Sequence, residues 1–122
     1  SSSVIGILAQ RLVRKICDKC KEEYTPSEDV LKGLGINQKK VFLRGKGCNL
    51  CKDTGYRERI GIFELLIVND RIKKLIIDKA SSDVIKKSAV ETGMKTLRDD
   101  GLDKVFKGIT TPEEVIKATQ EE

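Results

Sequence analysis

The chain has 122 residues, 24 Lys and Arg against 19 Asp and Glu, a net charge of +5, and 39% hydrophobic residues. This is enough for one domain or two small lobes around a modest core, while no apolar run approaches the roughly 18 residues that a membrane span needs. The signs of charge are interleaved, aromatic residues are few and Trp and His are absent, which argues against a one-sided nucleic-acid surface and excludes Ser–His and Cys–His dyads.

The first predicted element covers residues 4–16. Val4, Ile5, Leu8, Leu12 and Ile16 recur at helical spacing, so this segment is expected to be an amphipathic helix, read as the end of something longer. It runs into Cys17-Asp18-Lys19-Cys20, the first of two Cys-x-x-Cys pairs. The second is Cys48-Asn49-Leu50-Cys51, and the two pairs hold every cysteine of the chain. Two thiolates from one tight turn reach a single ion, and a second such turn completes a tetrahedron, so Cys17, Cys20, Cys48 and Cys51 are the candidate ligands of a structural Zn²⁺. Four protein ligands leave no position for an activated water, so such a metal acts on stability rather than on chemistry. Arg14, Lys15, Lys19, Lys21, Lys46 and Lys52 flank the ligands and suit the residual negative charge of a four-thiolate site. A disulfide framework and a thioredoxin-type redox pair are weaker alternatives. There is no signal-like apolar segment near the start, and the βαβ context is missing.

The 27 residues between the pairs exceed an ordinary ribbon loop and carry structure of their own. Thr25-Pro26-Ser27-Glu28 starts a short helix with Val30, Leu31 and Leu34 on its apolar face, and Gly35 stops it. Val41-Phe42-Leu43-Arg44 is a short extended segment leading into the second pair. Beyond it, residues 59–68 are rich in β-branched and aromatic residues and read as a strand, with a bend at Gly61.

Four helices follow. Asn69 or Asp70 caps one containing Ile72, Leu75, Ile76 and Ile77, and Ser81 or Ser82 opens one carrying Val84, Ile85, Ala89 and Val90, closed by Gly93. A third runs from about Thr96 to Phe106, with Leu97, Leu102, Val105 and Phe106 inward. Thr111-Pro112-Glu113-Glu114 starts the last, with a possible capping box. The paired acids Asp99-Asp100 and Glu113-Glu114 are expected at solvated or helix-start positions. The expected fold is α+β and mainly helical, with about half the residues in helices. It comprises an N-terminal helix (1–16), a tetracysteine zinc module (17–58) and a strand with a C-terminal helical bundle (59–122), arranged as two lobes divided near Asp70. No Gly-x-x-x-x-Gly-Lys-Ser/Thr loop is present, so the chain by itself is expected not to be an enzyme.

The order of motifs carries a resemblance. Leu8-Ala9-Gln10-Arg11-Leu12-Val13-Arg14, the two Cys-x-x-Cys pairs, Gly55-Tyr56-Arg57-Glu58-Arg59-Ile60-Gly61-Ile62-Phe63-Glu64-Leu65-Leu66, Met94-Lys95-Thr96-Leu97-Arg98-Asp99-Asp100-Gly101 and Gly108-Ile109-Thr110-Thr111-Pro112-Glu113-Glu114-Val115 follow one another. Together they resemble the C-terminal part of the assembly ATPases of bacterial type II secretion and type IV pilus systems. The resemblance implies a cytoplasmic homohexamer, peripheral to the inner membrane and docked on a membrane platform without insertion of its own. ATP and Mg²⁺ would be bound upstream of the matched segment, not within it. Where the family pattern places Gly before the arginine matched by Arg59, this chain has Glu58. Arg59 itself either packs its stem and pairs with an acid such as Glu64, or sits near a subunit boundary and couples nucleotide state between neighbours. A free-standing four-Cys module that binds nucleic acid is the alternative function, and mixed surface charge counts against it.

Overall fold

The computed structural model describes residues 5–37 and 41–120, so Val4 and the three serines before it lie outside the described residues. The segment expected to be helical is instead a strand, β1 (Ile5–Ile16), paired antiparallel with β4 (Tyr56–Val68). The apolar spacing that mimicked a helix belongs to a ribbon whose two faces are both apolar. On one face Val13, Ile62 and Val68 are buried; on the other Leu8 and Leu12 from β1 and Phe63, Leu65 and Ile67 from β4 are exposed. The expected bend at Gly61 is a packing requirement. A Cβ there would lie 2.7 Å from the Phe63 ring, so glycine lets that ring lie flat on the strand.

The ladder shifts register once. Arg14 faces Arg59 and Ile16 faces Tyr56, so Lys15 opposes both Arg57 and Glu58. This is a β-bulge, and Glu58 takes φ 64°, the left-handed angle that a glycine adopts at no steric cost. Glu58 therefore holds an unusual backbone angle and bears its strain.

Between β1 and β4 lies the finger: β2 (Lys21–Tyr24), α1 (Glu28–Gly33) and β3 (Phe42–Gly45), with β2 and β3 paired antiparallel. Ser27 caps α1 through the Val30 amide, so Pro26 sits before the cap rather than inside the first turn, and Gly35 ends it at φ 70°. The two chain segments at the base of the finger touch backbone to backbone. A Cβ on Gly45 would fall 2.1 Å from the Gly55 carbonyl oxygen, so no side chain fits at this crossing.

The helices after the ribbon are α2 (Asp70–Ile77), α3 (Ser82–Glu91), α4 (Leu97–Phe106) and α5 (Pro112–Thr119). Asn69, Ser81, Thr96 and Thr111 cap them. The capping box belongs to Thr96 and Asp99 rather than to Thr111, because the Glu114 side chain is engaged elsewhere. Helices make up somewhat over a third of the described residues, near the ordinary share for a globular protein and below the half expected, since the first segment is β.

The cores do not divide at Asp70. One cluster joins Leu31, Leu34 and Phe42 of the finger to Val105 of α4 and Val115 of α5. Phe42 and Phe106 stack with ring centres 5.9 Å apart, although Phe106 is half exposed rather than inward. A second cluster packs Val68 at the ribbon end against Ile72 of α2 and Ala89 of α3. The finger is thus cored by the C-terminal helices. In place of a single C-terminal bundle, α4–α5 serve the finger and α2–α3 serve the ribbon tip.

Replacing Glu58 with Gly is expected to raise stability by about 0.5–1 kcal/mol, because the left-handed backbone is retained and its side-chain penalty removed. Chemical denaturation of both proteins with one common m-value measures this. An equal or lower midpoint for Glu58→Gly would show that the bulge carries no strain.

Candidate metal centre

Each Cys-x-x-Cys pair sits on a tight turn at the base of the finger. In the second, Asp53 N–H donates to the Cys48 carbonyl at 2.9 Å and Lys52 and Asp53 take φ 55° and 61°, curling the chain around the sulfurs. Thr54 locks the exit: its hydroxyl donates to the Cys51 carbonyl at 2.7 Å and its oxygen accepts from Tyr56 N–H at 3.1 Å. On the other side Cys17 N–H donates to the Gly55 carbonyl at 2.9 Å, which brings the first turn against the second.

All four sulfurs lie within 4.8 Å of one another. Cys17–Cys48 and Cys20–Cys51 are separated by 3.8 Å and Cys48–Cys51 by 3.7 Å. A disulfide requires about 2.05 Å, whereas an ion about 2.3 Å from each of four sulfurs spaces them about 3.8 Å apart. The donor set therefore fits a tetrahedral metal ion. Backbone amides point at the sulfurs as well: Gly47 N–H to Cys20 at 3.2 Å, and Cys48 and Gly55 N–H to Cys51 at 3.3 and 3.2 Å. Such donors stabilise thiolate over thiol. Burial works against ionisation of Cys51, yet these amides overcome it and lower the thiol to about 6; at Cys20 burial prevails and raises it to about 11.

The residues behind the thiols form a clamp that sequence reasoning missed. Glu114, expected at an exposed helix start, is buried. Its carboxylate accepts from Arg14 N–H at 3.0 Å and from Arg14 Nε at 2.8 Å, linking the edge of β1 to the first turn of α5. The Arg14 guanidinium lies 4.1 Å from the centre of the Tyr56 ring, and Tyr56 Oη is 2.8 Å from Thr111 Oγ1. Thr110 Oγ1 donates to the Arg14 carbonyl at 2.7 Å, and Ile16 N–H to the Ile109 carbonyl at 2.9 Å. Lys21 donates to the Gly108 carbonyl, and Tyr24 hydrogen-bonds Glu113. The available signal was Arg14 and Tyr56 flanking the cysteines and Glu114 inside the Thr111-Pro112 motif. Nothing local connects residues 100 positions apart.

Arg59 is exposed and lines a cleft of about 350 Å³ with Arg14, Thr54, Tyr56, Arg57 and Glu58. Its expected pairing with Glu64 does not form, since Glu64 Oε1 accepts from Leu97 N–H at 3.0 Å and steadies the start of α4.

The sequence matches the family described as Type II/IV secretion system protein over residues 1–117. The chain belongs to that family. It is 45% identical to a protein named Type IV pilus assembly ATPase PilB from Thermus thermophilus, over 99% of this chain and 14% of that protein. It is 43% identical to one named Type II secretion system ATPase E from Vibrio cholerae, over 99% of this chain and 24% of that protein. Type II secretion system protein E of Pseudomonas aeruginosa is 42% identical over the whole chain and 24% of its own length. The chain thus spans a quarter or less of these relatives. Among the described residues no helix is long and apolar enough to cross a membrane.

The clamp has a pH signature. Burial opposes ionisation of Glu114, but the Arg14 hydrogen bonds and charge outweigh it and hold the carboxyl below its ordinary value. Asp100 is likewise lowered, against burial, by Lys104 and the Phe63 amide. A depressed carboxylate contributes stability that is complete above the unfolded value, about 4.3 for Glu and about 3.9 for Asp, and lost as pH falls through the folded value. Glu114→Gln is expected to cost roughly 2 kcal/mol at pH 7, and the gap from the unsubstituted chain should narrow progressively as pH falls below about 4. Urea titrations across pH 3–7 check this, and a gap unchanged at low pH contradicts it.

Proposed function

We propose that this chain is the zinc-stiffened interaction region of a hexameric ATPase that powers type II secretion or type IV pilus assembly. The observation that carries the reading is identity above 40% across the whole chain to proteins named as such ATPases, in a chain that covers a quarter or less of their length and has no phosphate-cradling loop. In this reading ATP and Mg²⁺ are bound by the rest of a longer polypeptide, upstream of this region. The region contributes stiffness and contact surface toward neighbouring subunits and an inner-membrane platform, on the cytoplasmic side and without inserting into the bilayer.

Cys17, Cys20, Cys48 and Cys51 hold the zinc. Sulfur spacings near those of a tetrahedral site support it, as do amides directed at the sulfurs and the absence of histidine as a competing ligand. The metal supplies cohesion: it joins two turns whose helix and strands are too short to persist alone.

Metal analysis should return one zinc per chain, with four titratable thiols after chelation. Chelation should loosen α4 and α5 together with the finger, while α2–α3 persist longest because their apolar cluster is separate. Absence of stoichiometric zinc together with fewer than four thiols would support the disulfide reading. The chain alone should show no ATP turnover and the longer gene product should show it; a longer product that cannot hydrolyse ATP refutes the motor assignment.

Arg59 is placed in that reading as a coupling residue at a subunit boundary, supported by its exposure beside Arg57 and its lack of an acidic partner among the described residues. In the longer protein, Arg59→Ala should reduce ATP turnover at least tenfold with hexamer formation and melting temperature unchanged. A matched fall in stability would return Arg59 to a packing role.

A further inference from the structure

The turn between α2 and α3 presents an apolar, basic tip to solvent. Ile77 is 76% exposed, Ile76 47%, and Val84 on the other side of the turn 49%. These side chains are not used by the fold, because Ile72, Leu75, Ile85 and Ala89 form the inner face of the two helices. Residues 71–87 contain six basic side chains (Arg71, Lys73, Lys74, Lys79, Lys86 and Lys87) against two acidic ones (Asp78 and Asp83), so this short stretch carries most of the net charge of +5. Arg71 is paired with Glu91 at 3.1 Å, whereas none of the five lysines has an ion-pair partner among the described residues.

The tip is also pre-shaped. Asp78 N–H donates to the Lys74 carbonyl, Lys79 to Ile76 and Ala80 to Leu75, at 2.9–3.0 Å, and Lys79 holds φ 56°. An ordered turn loses little freedom when something binds it. Exposed isoleucines beside uncompensated lysines leave two unfavourable terms in water, apolar hydration and like-charge repulsion, and an anionic, apolar partner relieves both.

We propose that the α2–α3 tip docks an acidic, apolar protein segment, whose hydrophobic side chains cover Ile76, Ile77 and Val84 and whose carboxylates meet Lys73, Lys74, Lys86 and Lys87. A membrane fits less well, because the apolar stripe is too narrow for interfacial insertion once Ile72 and Leu75 are committed to the core. This surface lies apart from the thiols and the arginine cleft, and its test requires neither zinc-dependent nor ATP-dependent activity.

The test uses the 122-residue chain, isotope-labelled for NMR, with three probes: an amphipathic peptide built of Glu and Leu, its Lys/Leu counterpart, and vesicles of phosphatidylglycerol. The Glu/Leu peptide should shift amides of residues 73–87 saturably, and raising salt from 50 to 300 mM should weaken it several-fold. Ile77→Ser and the double change Lys73→Glu, Lys74→Glu should each weaken it at least tenfold, with the remaining spectrum and the melting temperature unchanged. Shifts centred elsewhere, no saturable shift at millimolar peptide, equal response to the Lys/Leu peptide, or binding intact in both variants each overturn the proposal. Vesicle flotation that depends on Ile77 would replace the protein partner with a lipid surface.

Discussion

The buried carboxylate of Glu114 is where the two ends of this chain meet. A desolvated anion is tolerable only when its oxygens are met by donors, and Arg14 supplies both a backbone amide and a guanidinium. Those donors lie on the outer edge of β1 two residues before the bonds that seat Ile16 and Cys17, so satisfying the charge also sets the position of the first cysteine turn. The Tyr56 ring over the guanidinium and the hydroxyls of Thr110 and Thr111 complete the arrangement from three separate segments. Remove the anion and Arg14 loses the partner that ties β1 to the first turn of α5.

Around that point the described residues form two apolar clusters with different clients. The finger has a six-residue helix and two four-residue strands, too little to bury a core of its own, and takes α4 and α5 as its support. The α2–α3 pair closes the far end of the ribbon and shares little with the finger. A perturbation at the thiols therefore travels toward the C-terminal helices, while one at the hairpin tip travels along the ribbon.

What could be read from the sequence was local. The cysteine pairs, the helix caps at Asn69, Ser81, Thr96 and Thr111, and the stop at Gly35 are encoded within a few residues of where they act. The first segment failed because its apolar positions at 5, 8, 12 and 16 match a helical period, while the fact that decides its state lies on β4, about fifty residues later. A ribbon with apolar side chains on both faces does not alternate, so the signal that normally marks a strand was missing. Glu114 was misplaced for the same reason. Its sequence neighbours describe a helix start, and only tertiary contact shows that the start is buried. The α5 motif and the Arg14 segment gave no sign of each other, since an ion pair across 100 residues leaves no trace in local composition.

The insertion of the finger between β1 and β4 has a consequence for the order of assembly. The ribbon is built from long-range pairs, and β1 emerges well before its partner exists, so it cannot mature until the finger and residues 56–68 have been made. Closing that loop from an open chain carries an entropic cost that grows with its length. Gathering the four sulfurs shortens the detour to a few residues, because Cys17 and Gly55 then already touch. A metal ion gathering the four thiols would thus act as a kinetic staple, turning slow, high-contact-order pairing into the zipping of two strands held side by side at one end.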